Sequence, residues 1–174
     1  MSGLLDGEKV SLTLVSKEGL TILHYWFNDP KHTGEYKPLL QITHRELEKR
    51  YLSLGDESWW FIKDRRGFPV GFLSNQLRDG CQTLSYLIEE EERGNGYATE
   101  AVHIIVDYLF LNRDIVRIQA ETDPRNKANI RVLQKNGFAC ECVKRKSFFS
   151  RGIWTDSALY SILREEWKGP HYKW

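Results

Sequence analysis

The chain has 174 residues, 41% of them hydrophobic and 13% aromatic, and its 25 basic and 24 acidic side chains leave a formal net charge of +1. This length and apolar content predict a single domain, residues 1–174, that needs no disulfide or metal to stabilise its core. The balanced charge argues against a dedicated nucleic-acid-binding protein and against intrinsic disorder. Because the sequence has no apolar run of membrane-spanning length and no recognisable signal peptide, we expect a cytoplasmic protein without a membrane partner.

The first third of the chain predicts one strand followed by two helices. Apolar and polar residues alternate from Val10 to Leu14, which is typical of a half-buried strand. We expect Ser16 to cap a first helix that reaches about Phe27 and ends before Pro30. The segment Thr43-His44-Arg45-Glu46 has the pattern of a capping box, which predicts a short helix through Leu52.

The middle of the chain predicts an antiparallel meander of three strands. Their expected ranges are Ser58–Lys63, Val70–Leu77 and Gln82–Ile88. Asp79-Gly80 lies between the second and third ranges and is a strong signal for a tight hairpin turn.

The second half of the chain alternates helices and strands. We expect a helix over Tyr97–Leu111 and a strand over Val116–Glu121. A second helix should run from Pro124 or Asn126 to Lys135, with a left-handed end at Asn136-Gly137. Two strands should follow, over Phe138–Phe149 and Trp154–Leu163. With the preceding elements, this order predicts a mixed α/β fold in which crossover helices pack on the sheet.

The three cysteines, an odd number, fit a reducing compartment. Cys140 and Cys142 are two residues apart in a predicted strand, so both side chains should lie on one face. No CxxC pair or suitably spaced histidine accompanies them. We therefore interpret them as half-buried thiols and predict no metal site.

A glycine-containing turn joins the third meander strand to the long helix. It consists of Arg93, Gly94, Asn95, Gly96, Tyr97, Ala98 and Thr99. Glycines let a backbone turn sharply and approach a ligand closely, and the first N–H groups of a helix favour an anion such as a diphosphate. Neither the dinucleotide fingerprint nor the ATP-binding loop is present. From spacing alone, a tight turn without any ligand is an equally good interpretation.

The pattern Arg93-x-x-Gly96-x-Ala98 resembles the coenzyme A signature [Gln/Arg]-x-x-Gly-x-[Gly/Ala] of the GCN5-related N-acetyltransferases, the GNAT family. The segments Arg93–Ala101, Asp123–Phe138 and Gly152–Asp156 are similar to the RimJ/RimL-like branch, which acetylates the N-termini of ribosomal proteins. The resemblance covers roughly residues 8–166. It implies a mostly antiparallel central sheet with splayed middle strands and helices on both faces.

The resemblance also implies acetyl coenzyme A as co-substrate, no metal, and an amine acceptor that is either a protein N-terminus or a small molecule. Backbone N–H groups of residues 93–99 would hold the pyrophosphate. Leu87 and Ile88 would pair their backbone with the pantetheine arm, and Asn126 would donate a hydrogen bond to it. Arg131 would reach the adenosine phosphates.

The residues that transfer protons are less clear, because Thr83, Asn129, Leu133 and Phe148 occupy the positions that relatives commonly use. Direct attack of an amine on a thioester needs a base and fixed hydrogen-bond donors but no covalent enzyme intermediate. The remaining candidates are Tyr86, Glu121, Asp123, Asp156 and water. We expect Glu121 to point outward and Asp123 to cap the following helix. A coenzyme A-binding module with altered catalysis is the alternative.

The acceptor should bind between the first two helices and the last hairpin. Its candidate residues are His24, Trp26, Asp29, His32, Glu35, Tyr36, Trp59, Trp60, Trp154 and Asp156. Carboxylates at Asp29, Glu35, Asp56 and Glu57 would suit a polyamine. The sequence leaves the acceptor, the acyl preference and the oligomeric state open, and a homodimer is compatible with it.

Overall fold

The structure of the protein, a computed structural model, describes residues 5–39 and 41–170. Its strands are β1 (Val10–Leu14), β2 (Glu57–Asp64), β3 (Pro69–Arg78), β4 (Cys81–Ile88), β5 (Arg117–Thr122), β6 (Ala139–Ser150) and β7 (Ile153–Leu163). Its helices are α1 (Leu20–Asn28), α2 (Pro30–Thr33), α3 (His44–Leu52), α4 (Tyr97–Asn112) and α5 (Lys127–Lys135), with 3-10 turns at Glu90–Glu92 and Arg164–Glu166. None of the helices in these described ranges is both long and apolar enough to cross a membrane.

The strands form a seven-stranded sheet in the order β1-β2-β3-β4-β5-β7-β6. Every neighbouring pair is antiparallel except β4 and β5, which are parallel. This parallel pairing extends only from Gln82–Ile118 to Leu84–Ala120, although β4 continues to Ile88. The two central strands therefore part at their carboxyl ends. The predicted mixed, mostly antiparallel sheet with splayed middle strands is confirmed.

Helices cover both faces of this sheet because the side chains of a strand alternate between its two faces. Trp60 and Ile62 of β2 belong to the hydrophobic cluster that includes α4 and α5. Trp59 and Phe61, which alternate with them along β2, belong to a second cluster with α1 and α3. Strand β2 is therefore buried on both sides.

Most of the turn and cap predictions are confirmed. Thr43 Oγ1 accepts a hydrogen bond from the Glu46 N–H at 3.2 Å, and Glu46 Oε2 accepts one from the Thr43 N–H at 2.8 Å. Asp79 and Gly80 both have positive φ, at 50° and 73°, as a tight hairpin turn requires. Gly137, with φ of 80°, follows the last turn of α5.

Two local predictions are wrong, and one short helix was not predicted. Ser16 does not cap α1, which begins at Leu20 after Gly19, because the Ser16 carbonyl accepts from the Gly19 N–H at 3.0 Å in a separate turn. The predicted end of the first helix before Pro30 is confirmed, because α1 ends at Asn28. Pro30 then starts the unpredicted short helix α2, at a position where a backbone N–H would have no helical partner. Cys140 and Cys142 are exposed, and a bulge between them shifts the register, so the simple alternation fails.

Candidate active site

A cavity of about 660 Å³ opens where β4 and β5 part. We distinguish two parts of its wall. The α4 wall consists of Gly94, Gly96–Thr99, Asn126 and Arg131, and the hairpin wall consists of residues 34–37 with Glu121, Asp123, Phe148 and Asp156. Ser85 to Ile88, which pair with β3 but not with β5, lie along the same cavity.

The α4 wall presents backbone rather than side chains. Gly96 is the N-cap of α4 with φ of 83°, and Gly94 has φ of 85°, a region that side chains disfavour. The Glu100 N–H donates to the Gly96 carbonyl, so the helical bonds begin there. The amides of Tyr97, Ala98 and Thr99 precede that bond and have no partner within the helix. Such a helix start favours an anion.

Ten of the eleven residues predicted to hold the coenzyme line this cavity. They are Leu87, Ile88, Arg93, Gly94, Gly96, Tyr97, Ala98, Thr99, Asn126 and Arg131. The structure places Asn95 outside the lining, where its Nδ2 donates to the Glu92 carbonyl at 3.2 Å and its own carbonyl accepts from Lys9 Nζ at 3.1 Å. Asn95 therefore shapes the turn from outside, and no sequence signal indicated its contact with Lys9.

Asn126 already has a structural role in the α4 wall. Its Oδ1 accepts from the Asn129 N–H at 3.1 Å, which makes it the N-cap of α5. Asp123 was expected to hold that position. Its carboxylate instead binds the Arg125 backbone N–H at 2.8 Å and the guanidinium at 2.9 and 2.7 Å. Hydrogen bonds from Arg125 lower the pKa of Asp123, outweighing the effect of its partial burial.

The Arg93 side chain connects the glycine-containing turn to α2. Its Nη2 donates to the carbonyls of Lys31 and His32, each at 2.7 Å, and its Nε donates to the Ile88 carbonyl at 3.1 Å. The buried His32 accepts from the Glu90 N–H at 3.3 Å. Arg93 thus ties the end of β4 to the helix that leads into the hairpin wall. The sequence motif predicts only a backbone role for Arg93 and gives no sign of this side-chain contact.

Tyr86 brings a phenol to the first turn of α5. Its hydroxyl donates a hydrogen bond to Asn129 Oδ1. Burial raises the pKa of Tyr86 well above its ordinary value, so the phenol stays protonated at neutral pH. Leu133, one turn further along α5, is fully buried in the core and does not line the cavity. The phenol near this helix therefore comes from the strand.

Two further carboxylates of the hairpin wall, Glu121 and Asp156, accept hydrogen bonds from β6 and β7. Glu121 is exposed, as expected, but it also lines the cavity, where Oε1 contacts Lys144 Nζ at 2.6 Å and Oε2 accepts from the Ser157 hydroxyl at 2.7 Å. Partial burial raises the pKa of Glu121, but these two hydrogen bonds outweigh it and the net shift is downward. Asp156 Oδ1 accepts from the Lys146 N–H at 2.9 Å.

Four of the ten predicted acceptor residues line the cavity, namely His32, Glu35, Tyr36 and Asp156. The other six do not line this cavity. Trp26, Trp59 and Trp60 are buried in the hydrophobic clusters, His24 lies against His44, Asp29 caps α2 and Trp154 is exposed beside Phe149. Of the four carboxylates considered for a polyamine, Glu35 alone lines this cavity.

Two arginines that the sequence analysis missed hold residues 34–37 in place. Arg151, at the tip of the β6–β7 hairpin, donates to the Gly34 carbonyl at 2.9 Å and to the Lys37 carbonyl at 3.3 Å. Arg125 lies 5.7 Å from the centre of the Tyr36 ring. Arginines that bind distant backbone carbonyls leave no local pattern, so nothing in the sequence could have indicated them.

The model of the acetyltransferase (GNAT) domain family matches residues 10–139 of this chain. The chain belongs to the GNAT family. A probable N-acetyltransferase of Bacillus subtilis, YjcK, is 37% identical over 139 residues, which cover 76% of this chain and 73% of that protein. This GNAT protein is an acetyl coenzyme A-dependent N-acetyltransferase, and no comparison supports the alternative of a binding module without catalysis.

Solved structures confirm the GNAT fold. The ribosomal-protein-S5-alanine acetyltransferase of Vibrio fischeri superposes with a TM-score of 0.82 at 22% identity, covering 94% of this chain and 97% of that one. The spermidine N-acetyltransferase of Vibrio cholerae, solved with CoA and spermine, has a TM-score of 0.82 at 18% identity, covering 92% and 98%. At these identities the two structures support the fold, and the acceptor of this chain has to be argued from its own residues.

Proposed function

We propose that this chain transfers an acetyl group from acetyl coenzyme A to a primary amine by direct attack, with the coenzyme in the cavity between β4 and β5. The observation that carries the proposal is the meeting of an unpaired strand edge and an unpartnered helix start in one cavity. An extended pantetheine arm needs the first feature, and a diphosphate needs the second.

The α4 wall and the neighbouring end of β4 both bind the coenzyme in this proposal. The amides of Tyr97 to Thr99 bind the diphosphate, and Arg131 binds the adenosine phosphates. Leu87 and Ile88 present backbone groups along the open edge of β4, where Arg93 already occupies one side of the Ile88 carbonyl. Asn126 Nδ2, which has no hydrogen bond within residues 5–39 and 41–170, donates to the arm while Oδ1 caps α5.

Tyr86 and Asp156 supply the proton chemistry in this proposal. The acetyl coenzyme supplies an activated thioester, whose sulfur gains negative charge as the amine attacks. The Tyr86 hydroxyl rotates from Asn129 to donate a hydrogen bond to that sulfur, without losing its proton because its pKa is raised. Asp156 accepts the amine proton, directly or through water, as the C–N bond forms. The C–S bond then breaks, and the thiolate leaves with the Tyr86 hydrogen bond and takes a proton from water. Glu121, ionised and paired with Lys144, orders the wall.

We further propose a cytoplasmic location, no nucleic-acid or membrane partner, and one domain over residues 1–174. The three unpaired cysteines and the balanced charge support the first two. A homodimer is also compatible with the structure, because the edge strand β6 is exposed along nearly its whole length. A protein N-terminus, as in the RimJ/RimL-like branch, and a small amine are both candidate acceptors.

Incubation with acetyl coenzyme A and a panel of amines tests the proposal. The panel contains a free amino acid, a peptide with a free N-terminus, spermidine and an aminoglycoside, each beside its N-blocked form. We expect free thiol to appear in step with an acetylated product detected by mass spectrometry, and none with blocked amines. Thiol release without an acetylated product, or no release with any amine, would contradict the proposal.

A further inference from the structure

Two of the four carboxylates of the hairpin wall are paired with cations. Glu121 is bound by Lys144 and Ser157, and Asp123 by Arg125. Asp156 accepts a backbone N–H with one of its two oxygens. Glu35 and Asp156 form no ion pair within the described residues, so the negative charge that this wall offers to the cavity comes from two of its four carboxylates. A second positive charge on the acceptor would therefore find less attraction than four free carboxylates would give.

Lys37 lies in the same wall and differs from these residues. It lines the cavity, yet its ammonium makes no ion pair and no hydrogen bond within residues 5–39 and 41–170. Its neighbour Glu35 is hydrogen-bonded to Tyr36 instead. Lys37 is exposed as a whole residue, and the protein atoms around its ammonium lower the pKa of Lys37 by desolvation with no counter-charge to offset it.

The position of Lys37 is held from outside the cavity. Arg151 donates to the Lys37 carbonyl at 3.3 Å and to the Gly34 carbonyl at 2.9 Å, so the segment is fixed at both ends. A lysine on a held segment presents its ammonium at less cost in conformational entropy than a lysine on a free loop.

We propose that Lys37 is a specificity-determining residue that binds a carboxylate of the acceptor, so that the preferred amines carry an anionic group. This inference rests on the proposed function and adds the acceptor class to it. A carboxylate beside Lys37 would form a charge-assisted hydrogen bond and replace the missing counter-charge. A polyamine would instead bring a second cation towards an unpaired cation.

Matched acceptors that differ by one carboxylate test this proposal. The pairs are phenylalanine with phenylalaninamide, and C-terminally amidated Ala-Glu with Ala-Gln peptides, and spermidine serves as the polycation. The first pair represents free amino acids and the second represents acidic peptide N-termini. We expect kcat/KM to be about tenfold higher or more for the carboxylate member of at least one pair, the size of one charge-assisted hydrogen bond.

Variants of Lys37 separate this role from a general effect on catalysis. Lys37→Met should reduce the ratio within the preferred pair to about twofold or less, and Lys37→Glu should favour the amide. Lys135→Met is the matched control, because Lys135 lines the same cavity from α5 and should leave the ratio unchanged. Circular dichroism checks that each variant is folded.

A binding measurement gives a readout that does not depend on turnover. In calorimetric titrations of the coenzyme A complex, the N-acetylated product with a carboxylate should bind more tightly than its amide, and Lys37→Met should remove the difference. A preference for spermidine, a carboxylate preference that survives in Lys37→Met, or acetylation of Lys37 itself would overturn the inference. Acetylation of the panel without any carboxylate preference overturns the inference alone, whereas no acetylation of any amine overturns the proposed function and the inference with it.

Discussion

The two walls of the cavity are built in different ways. The α4 wall comes largely from one continuous segment, residues 93–99, and presents amides and glycines. The hairpin wall combines side chains from the segment after α2 with others from β5, β6 and β7, and Arg151 and Gly34, which hold it together, are 117 residues apart. A binding site formed by the backbone of one segment can therefore be predicted from a local sequence motif. A site formed by side chains from distant segments can be located only when the fold is known.

The largest expected effect is on the α4 wall, from Gly96→Val. Gly96 has φ of 83°, and an added Cβ would lie 3.2 Å from Lys9 Nζ. The substitution should weaken acetyl coenzyme A binding by about a hundredfold or more while costing about 1–3 kcal/mol of stability, typical of backbone strain. Calorimetric titration beside circular dichroism measures both quantities.

Gly67→Val is the control for that strain. Gly67 has φ of 86° in the turn between β2 and β3 and does not line the cavity. It should lose similar stability but bind the coenzyme like the wild type. Equal binding by both variants would show that the backbone at Gly96 does not contact the coenzyme.

The next largest effect concerns turnover, from Tyr86→Phe. Loss of the hydroxyl that donates to Asn129 should lower kcat about tenfold to a hundredfold, with the Kd for acetyl coenzyme A nearly unchanged. Tyr51→Phe is the control, because that hydroxyl donates to the Val15 carbonyl away from the cavity at 3.0 Å. A normal kcat in Tyr86→Phe would remove Tyr86 from the catalytic proposal.

Arg93 ties the end of β4 to α2, which leads into the hairpin wall. Arg93→Met should therefore affect the hairpin wall, which lies outside the glycine-containing motif. We expect the amine KM to rise about fivefold and the free energy of unfolding to fall by about 1–2 kcal/mol, with a smaller change in coenzyme Kd. Arg164→Met is matched to it, because Arg164 donates to three backbone carbonyls outside the cavity at 2.6–2.7 Å. If both variants raise the amine KM equally, the effect comes from general destabilisation.

The smallest effect separates two roles within one residue. Asn126→Ala removes both the cap of α5 and the Nδ2 donor, so stability should fall by about 1 kcal/mol and coenzyme affinity severalfold. Asn126→Asp keeps a side-chain oxygen for the Asn129 N–H and loses the donor. It should keep the stability and still lose affinity. Unchanged affinity in both variants would leave Asn126 with the capping role alone.

The same division decides how much the sequence could predict. Alternating residues in β1, the capping box at Thr43 and the turn at Asp79-Gly80 depend on neighbours in the chain, and they were predicted correctly. The coenzyme residues were found because their motif is contiguous and resembles a known family. Ser16 is not the cap because a turn from Ser16 to Gly19 precedes the helix, which begins at Leu20.

The acceptor residues could not be predicted in this way. Apolar aromatic residues in β2 look alike whether they line a pocket or a core, and Trp59 and Trp60 are in the core. The positions of Lys37 and Arg151 depend on contacts between the segment after α2 and the tip of the β6–β7 hairpin, which only the folded sheet brings together. Charge pairing across the chain, such as Glu121 with Lys144, likewise has no local signature.

Hydrogen exchange of the whole chain with and without acetyl coenzyme A tests the central claim most directly. We predict slower exchange at residues 85–88, the open edge of β4, and at residues 94–99, the start of α4, with little change in β1 to β3. Acetyl coenzyme A that binds while leaving the exchange of both segments unchanged would contradict the claim that this gap in the sheet is the coenzyme site.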